Sequence, residues 1–296
     1  MVWARWIAAA VTLAACGDPA AVPEDAPARD APARDAGAVT TRSAGIGPIS
    51  VPPGGEETVC MAVALDNEVA GSIVAIRSHL TEGSHHMIVS RADEVSPTTP
   101  TPCTPFGLGI SRTIFIAQQR EAELVYPEGS GLRIDAHQPI RMELHYVNYV
   151  AESPIDIGGT VDFDIVTDDG SLRQVQLLFT GELSFSLPPR EETVIASTHV
   201  LPEGASLFAI TSHTHQLGIE ASIDVVNGDG TTRIHTSDRW EDPPLDVFDP
   251  PMTVRFDDTL ALRCVFQNTT DRTVRFGEEF DSEMCFLWAY YLAPPP

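Results

Sequence analysis

From about residue 51 onward, apolar and polar positions alternate in short runs, each closed by Gly, Pro, Asn or Asp. Ser72–Ile76, Arg141–Tyr146, Val161–Val166, Gln174–Phe179, Ser206–Ile210 and Ala221–Val226 are rich in β-branched or aromatic residues. A period of two places every second side chain on one face, so each run reads as a strand with one face buried. Asn227-Gly228, directly after Val225-Val226, predicts a hairpin turn. No stretch beyond the N-terminal region sustains a period of 3.6, so the body is predicted all-β. Roughly 246 residues of such strands exceed a small sandwich. The polar turn Thr167-Asp168-Asp169-Gly170-Ser171 has a strand run on either side. Two β-sandwich domains, 51–170 and 171–296, are therefore expected.

The N-terminal pattern differs. Arg5 precedes a short apolar stretch, Ile7 to Ala15, too short to span a bilayer. Its end, Leu13-Ala14-Ala15-Cys16, resembles a bacterial lipobox, which makes Cys16 a lipid attachment point and residues 1–16 a signal peptide. Residues 17–50 are rich in Ala, Pro, Asp and Gly and carry a near repeat of Asp-Ala-Pro-Ala-Arg-Asp. That composition buries too little apolar surface to offset chain entropy, so this stretch reads as a disordered tether. The expectation is an exported body held on a bacterial membrane, on its periplasmic or cell-surface face, by a lipid.

Composition narrows the chemistry. All 18 basic residues are arginine, against 42 acidic ones, for a net charge of −24. Without lysine there is no Schiff-base or pyridoxal chemistry and no P-loop. The acidic balance excludes nucleic acid as a partner. With Cys16 set aside, Cys60, Cys103, Cys264 and Cys285 remain. Four cysteines in an exported chain predict two disulfides with three possible connectivities, of which spacing favours 60–103 and 264–285.

Five of the nine histidines fall in three compact motifs: Ser84-His85-His86-Met87, Leu144-His145-Tyr146 and His213-Thr214-His215. His213 and His215 share a strand face and form a two-point chelate. Adjacent His85 and His86 face opposite ways in a regular strand, so a shared metal requires a bulge, twist or strand end there. His145, on a segment that reads as a strand, supplies a third donor. Imidazole suits copper, zinc, iron and nickel. In Asp281-Ser282-Glu283-Met284-Cys285, Met284 reads as core packing. If it instead completes the His213/His215 pair, its thioether selects copper over zinc.

Taken together, His85-His86-Met87, Glu143-Leu144-His145-Tyr146, His213-Thr214-His215, Arg263-Cys264-Val265-Phe266 and Ser282-Glu283-Met284-Cys285 resemble, in order, the copper type II ascorbate-dependent monooxygenases. That family includes peptidylglycine α-hydroxylating monooxygenase and dopamine β-hydroxylase, and the similarity spans about residues 50–292. The resemblance implies two tandem jelly-roll-like domains with one copper ion each. His85, His86 and His145 would hold an electron-transfer copper, and His213, His215 and Met284 an oxygen-activating one. It also implies the disulfides Cys60–Cys103 and Cys264–Cys285, a reductant such as ascorbate, and hydroxylation of a C–H bond with O2.

The peptide-amidating branch carries an arginine two residues before the His-x-His motif, where this chain has Thr211. It also has Asn and Tyr after the Met-Cys pair, where Phe286 and Trp288 stand here. Those departures point away from peptide amidation, and Thr211, Phe286 and Trp288 become candidates for a substrate pocket. The expected partners are a small organic substrate and O2. The rival readings are a non-catalytic copper-sequestering surface lipoprotein, an adhesive module with relic histidines, and a zinc hydrolase. No protein acid or base stands out as catalytic beyond the copper ligands.

Overall fold

A computed structural model describes residues 38–107, 112–149, 152–167 and 170–295. The lipobox with Cys16 and residues 17–37 lie outside the described residues, whereas the end of the expected tether is ordered: Thr40–Val51 is a strand paired with Ile155–Val166, so the body begins before residue 51. No α-helix occurs among the described residues, and strands dominate throughout. The fold is all-β, with sheets stacked in jelly-roll-like sandwiches.

One long sheet runs the length of the molecule in the order Thr40–Val51, Ile155–Val166, Gly71–Leu80, Ser130–Ile134, Arg173–Gly181, Phe286–Leu292, Ser206–His213 and Asp246–Thr253. Glu121–Val125 branches from it on Gly71–Leu80. Near its midpoint a short parallel contact joins Ser130–Ile134 to Arg173–Gly181, linking strands from the two halves of the chain. A five-stranded sheet orders Thr101–Pro102, Glu56–Ala64, Pro139–Val147, Ser84–Arg91 and Thr113–Ala117. A four-stranded sheet orders Glu192–His199, Thr259–Gln267, Gly218–Asn227 and Gly230–Ser237.

The period of two explains how these layers are held. Ile76 and Phe163 of the long sheet join Phe115 and Leu144 of the five-stranded sheet in one hydrophobic cluster. Ile210 and Leu287 of the long sheet join Ile223, Leu262 and Phe266 of the four-stranded sheet in a second. Phe286–Leu292 serves both. Phe286, Trp288, Tyr290 and Leu292 belong to the first cluster, and Leu287 and Ala289 to the second. A strand buried on both faces carries a nearly continuous apolar run, and Phe-Leu-Trp-Ala-Tyr-Tyr-Leu is such a run.

All six strand runs expected from the alternation lie inside observed strands. The hairpin at Asn227-Gly228 is present, with Gly218–Asn227 pairing Gly230–Ser237 and Asn227 opposite Gly230. The disulfides are Cys60–Cys103 and Cys264–Cys285.

Adjacent positions on the shared strand should therefore weaken different cores. Leu287→Ala is expected to cost about 2–5 kcal/mol and Trp288→Ala about 3–5 kcal/mol. Urea unfolding of the disulfide-intact protein measures both, and a change under 1 kcal/mol at either residue would contradict its place in a packed core.

Candidate metal centre

The first-half histidines occupy neighbouring strands. Ser84–Arg91 pairs Pro139–Val147 with His86 opposite His145, and the register slips between Ser84 and His86. His85 is thus the extra residue of a β-bulge, which lets both adjacent imidazoles approach one point. Gly83, at φ +86°, makes the turn that enters this bulge, and an added Cβ would lie 2.6 Å from Ile157 Cδ1. His213 ends the Ser206–His213 strand, and His215 follows in the turn that Gly218 N–H closes onto the His215 carbonyl at 3.0 Å.

All five imidazoles meet in one cluster. The His85 ring centroid lies 5.0, 5.4, 5.2 and 5.3 Å from those of His86, His145, His213 and His215. His86 and His213 are 5.0 Å apart. Donor atoms of His85, His86 and His145 lie within 4.8 Å of one another, as do those of His85, His213 and His215. His85 belongs to both groups, a sharing that the spacing of the motifs gives no means of anticipating.

The unpaired atoms test whether a metal ion fits. His85 Nε2, His86 Nδ1, His213 Nε2 and His215 Nε2 are buried with no hydrogen-bond partner among the described residues. A buried polar atom left unpaired costs about 1–3 kcal/mol, and four converge here. Burial, and secondarily the neighbouring imidazoles, push His85, His86 and His213 well below the ordinary histidine value. Burial and the neighbouring His145 bring His215 to about 4. These rings are neutral at physiological pH, with lone pairs available to a cation. A first-row transition ion meets these requirements.

Surrounding groups orient the rings. His213 Nδ1 lies 2.6 Å from Gln118 Oε1, and His215 Nδ1 lies 3.0 Å from the Ser282 carbonyl. His145 Nε2 lies 3.1 Å from Glu56 Oε1, which also accepts the Phe280 N–H at 2.7 Å. Burial works to raise the Glu56 value, but the His145 hydrogen bond and the Phe280 N–H outweigh it and hold it low. Glu283, fully buried, accepts N–H groups of His215 at 2.9 Å and Leu217 at 2.6 Å. Burial still pushes it up to about 8. Met284 follows, also buried, and is counted in the first hydrophobic cluster, while Cys285 lies in the second.

Behind the His213 strand, Ser212 Oγ is 2.8 Å from His235 Nε2, and His235 Nδ1 is 2.7 Å from Asp246 Oδ2. The order Ser–His–Asp matches a hydrolytic triad, but Ser212 is only 1 % exposed, so the chain pins the strand and presents no nucleophile. Thr211, Phe286 and Trp288 are all buried. Thr211 Oγ1 accepts from Gln118, Trp288 stacks on Phe179 at 4.2 Å, and the same indole stands 5.9 Å from the His213 ring. Trp240 lies 5.7 Å from His85 and 5.4 Å from Phe280, which meets half-exposed Tyr149 at 3.9 Å.

Glu56, Gln118, His235, Trp240 and Phe280 lack a local sequence signal, since contacts between distant parts of the chain place them around the cluster. Glu283 sits inside a recognised motif, and its burial between two backbone donors gives it a role that the motif does not display.

Residues 190–295 match the family described as copper type II ascorbate-dependent monooxygenase, C-terminal domain. The match covers 106 of the chain's 296 residues. The matched segment contains His213, His215 and Met284. Among solved structures, the chain is similar to the major capsid protein P2 from Bacteriophage PM2, at 11 % identity and a TM-score of 0.34. That match covers 86 % of this chain and 97 % of the other. The STIV MCP is similar at 8 % identity and TM-score 0.34, covering 86 % and 96 %. The infectious bursal disease virus VP2 subviral particle follows at 12 % identity and TM-score 0.24, covering 93 % and 75 %. At such scores, the fold rests on the strand pairings themselves.

Protonation supplies a test of the cluster. The ordinary histidine value is 6.5, and the folded value of His215 is about 4. Between these the unfolded chain binds more protons, so this contribution makes stability fall as pH falls from about 6.5 to 4. In metal-free protein, His215→Leu should flatten that acid limb. Parallel wild-type and variant melting curves from pH 7 to 4 would mean that His215 is not buried in its neutral form.

Proposed function

We propose that the chain is a copper-dependent monooxygenase that hydroxylates a C–H bond of a small organic substrate, using O2 and a reductant such as ascorbate. The observation that carries this reading is the convergence of four unpaired, buried imidazole nitrogens beside a segment matching a copper monooxygenase domain. His213 and His215, with Met284, would hold one copper ion, and His85, His86 and His145 the other. Bound copper would supply oxygen activation and one-electron transfer.

The remaining work falls to the protein. The Ser282 carbonyl and Gln118 amide hold Nδ1 of His215 and His213, leaving both Nε2 atoms for metal. Glu56 restrains His145 and, through Phe280 N–H, ties it to the segment that precedes Met284. Trp240, Phe280 and Tyr149 form an apolar wall beside His85.

A cavity of about 350 Å³ is lined by His145 together with Glu56, Glu57, Glu278 and Glu279, with no arginine among its described lining. Such a mouth repels anions. Together with Thr211 at the position where the peptide-amidating branch has arginine, it supports a substrate without a free carboxylate. The lipobox-like Cys16 supports attachment of this activity to a bacterial membrane.

Purified protein should bind two copper ions and consume O2 in an ascorbate-dependent manner with a suitable substrate. Met284→Ala is expected to lower the rate at least 10-fold. Two tightly bound ions without reductant-dependent uptake across a substrate panel would favour copper sequestration, and turnover without reductant would indicate a hydrolase.

A further inference from the structure

We propose that Gln118 is a positioning residue that selects the metal-binding tautomer of His213 from the opposite half of the chain. The inference rests on the copper reading above and extends it to a residue outside the ligand set. Gln118 follows the Thr113–Ala117 strand of the five-stranded sheet and is 7 % exposed. Its amide is engaged on both sides. Nε2 donates to the Ser212 carbonyl at 3.1 Å and to Thr211 Oγ1 at 3.3 Å. Oε1 faces His213 Nδ1 at 2.6 Å.

The orientation of this amide follows from its partners. A backbone carbonyl only accepts, so the Ser212 carbonyl requires the NH2 end of Gln118 and would repel a flipped amide. The carbonyl end of Gln118 must then face His213, and Nδ1 must carry the proton. In a neutral imidazole, that leaves the lone pair on Nε2, which is the unpaired atom in the cluster. His215 reaches the same tautomer through the Ser282 carbonyl, a backbone group that substitution cannot remove. For His213, the same task falls to one replaceable side chain.

A partner of this kind typically changes metal affinity by about 10–100-fold when lost. Copper affinity is measured by chelator competition on the whole protein, with pulsed electron paramagnetic resonance of the Cu(II) form reading the remote imidazole nitrogens. Gln118→Leu keeps the volume and removes the acceptor. It should weaken one of two copper ions by about 10–100-fold, leave the other unchanged, and alter the remote-nitrogen coupling of one imidazole. Gln118→Glu, buried as the neutral acid, keeps a carbonyl acceptor opposite Nδ1 and an O–H donor toward the Ser212 carbonyl, and should recover most of the loss.

Wild-type affinity and unchanged coupling in Gln118→Leu would overturn the inference while the copper reading stands. If Gln118→Leu fails to fold, Gln118→Glu decides. Near-wild-type affinity and coupling would support the assignment, and a loss of 10-fold or more in a folded protein would overturn it. Wild-type protein that binds no copper would remove the reading on which the assignment depends.

Discussion

Four imidazole nitrogens buried without partners are the constraint around which the surrounding structure is arranged. Water cannot satisfy them, and protonation would place several positive charges within about 5 Å of one another in a poorly screened interior. Burial therefore keeps these rings neutral. The Gln118 amide, the Ser282 carbonyl and the Glu56 carboxylate each hold one ring nitrogen of His213, His215 and His145. Two hydrophobic clusters immobilise the strands that carry them. Without those supports, the rings could turn outward to water and the convergence would be lost.

The strand Phe286–Leu292 carries much of this burden. It lies between Arg173–Gly181 and Ser206–His213 in the long sheet, so it borders the strand that ends in His213. Its alternating faces close one core toward the first-half sheet and another toward the four-stranded sheet. Just before it, the Cys264–Cys285 bridge fastens the segment containing Met284 to Thr259–Gln267. The cross-half contact of Tyr290 Oη with the Ile116 N–H, at 3.2 Å, lies two residues from Gln118. The wall of the core and the orientation of a candidate ligand are therefore neighbouring consequences of one strand's placement.

Legibility in the sequence followed the range of each interaction. Alternation is local, and the runs around Arg141–Tyr146 and Ala221–Val226 fall within observed strands. The adjacency of His85 and His86 demanded an irregularity, and a bulge is present at His85. What could not be read was long-range. Nothing near Gln118 in the sequence points to His213, 95 residues away. Glu56 reaches His145 only because Glu56–Ala64 pairs with Pro139–Val147 in one register. Likewise, the gathering of all five histidines around His85 depends on how the two halves meet, which no motif spacing encodes.

The order of elements along the chain has a consequence for assembly. All five histidines emerge before residues 284–292, yet the strand that closes both cores is made after them. A chain halted short of that strand lacks residues of both cores, with His85, His86 and His145 on one sheet and His213 on another. One segment near the chain's end contributes to both cores that hold the arrangement. The five-histidine arrangement is therefore a property of the whole chain, its last strand included.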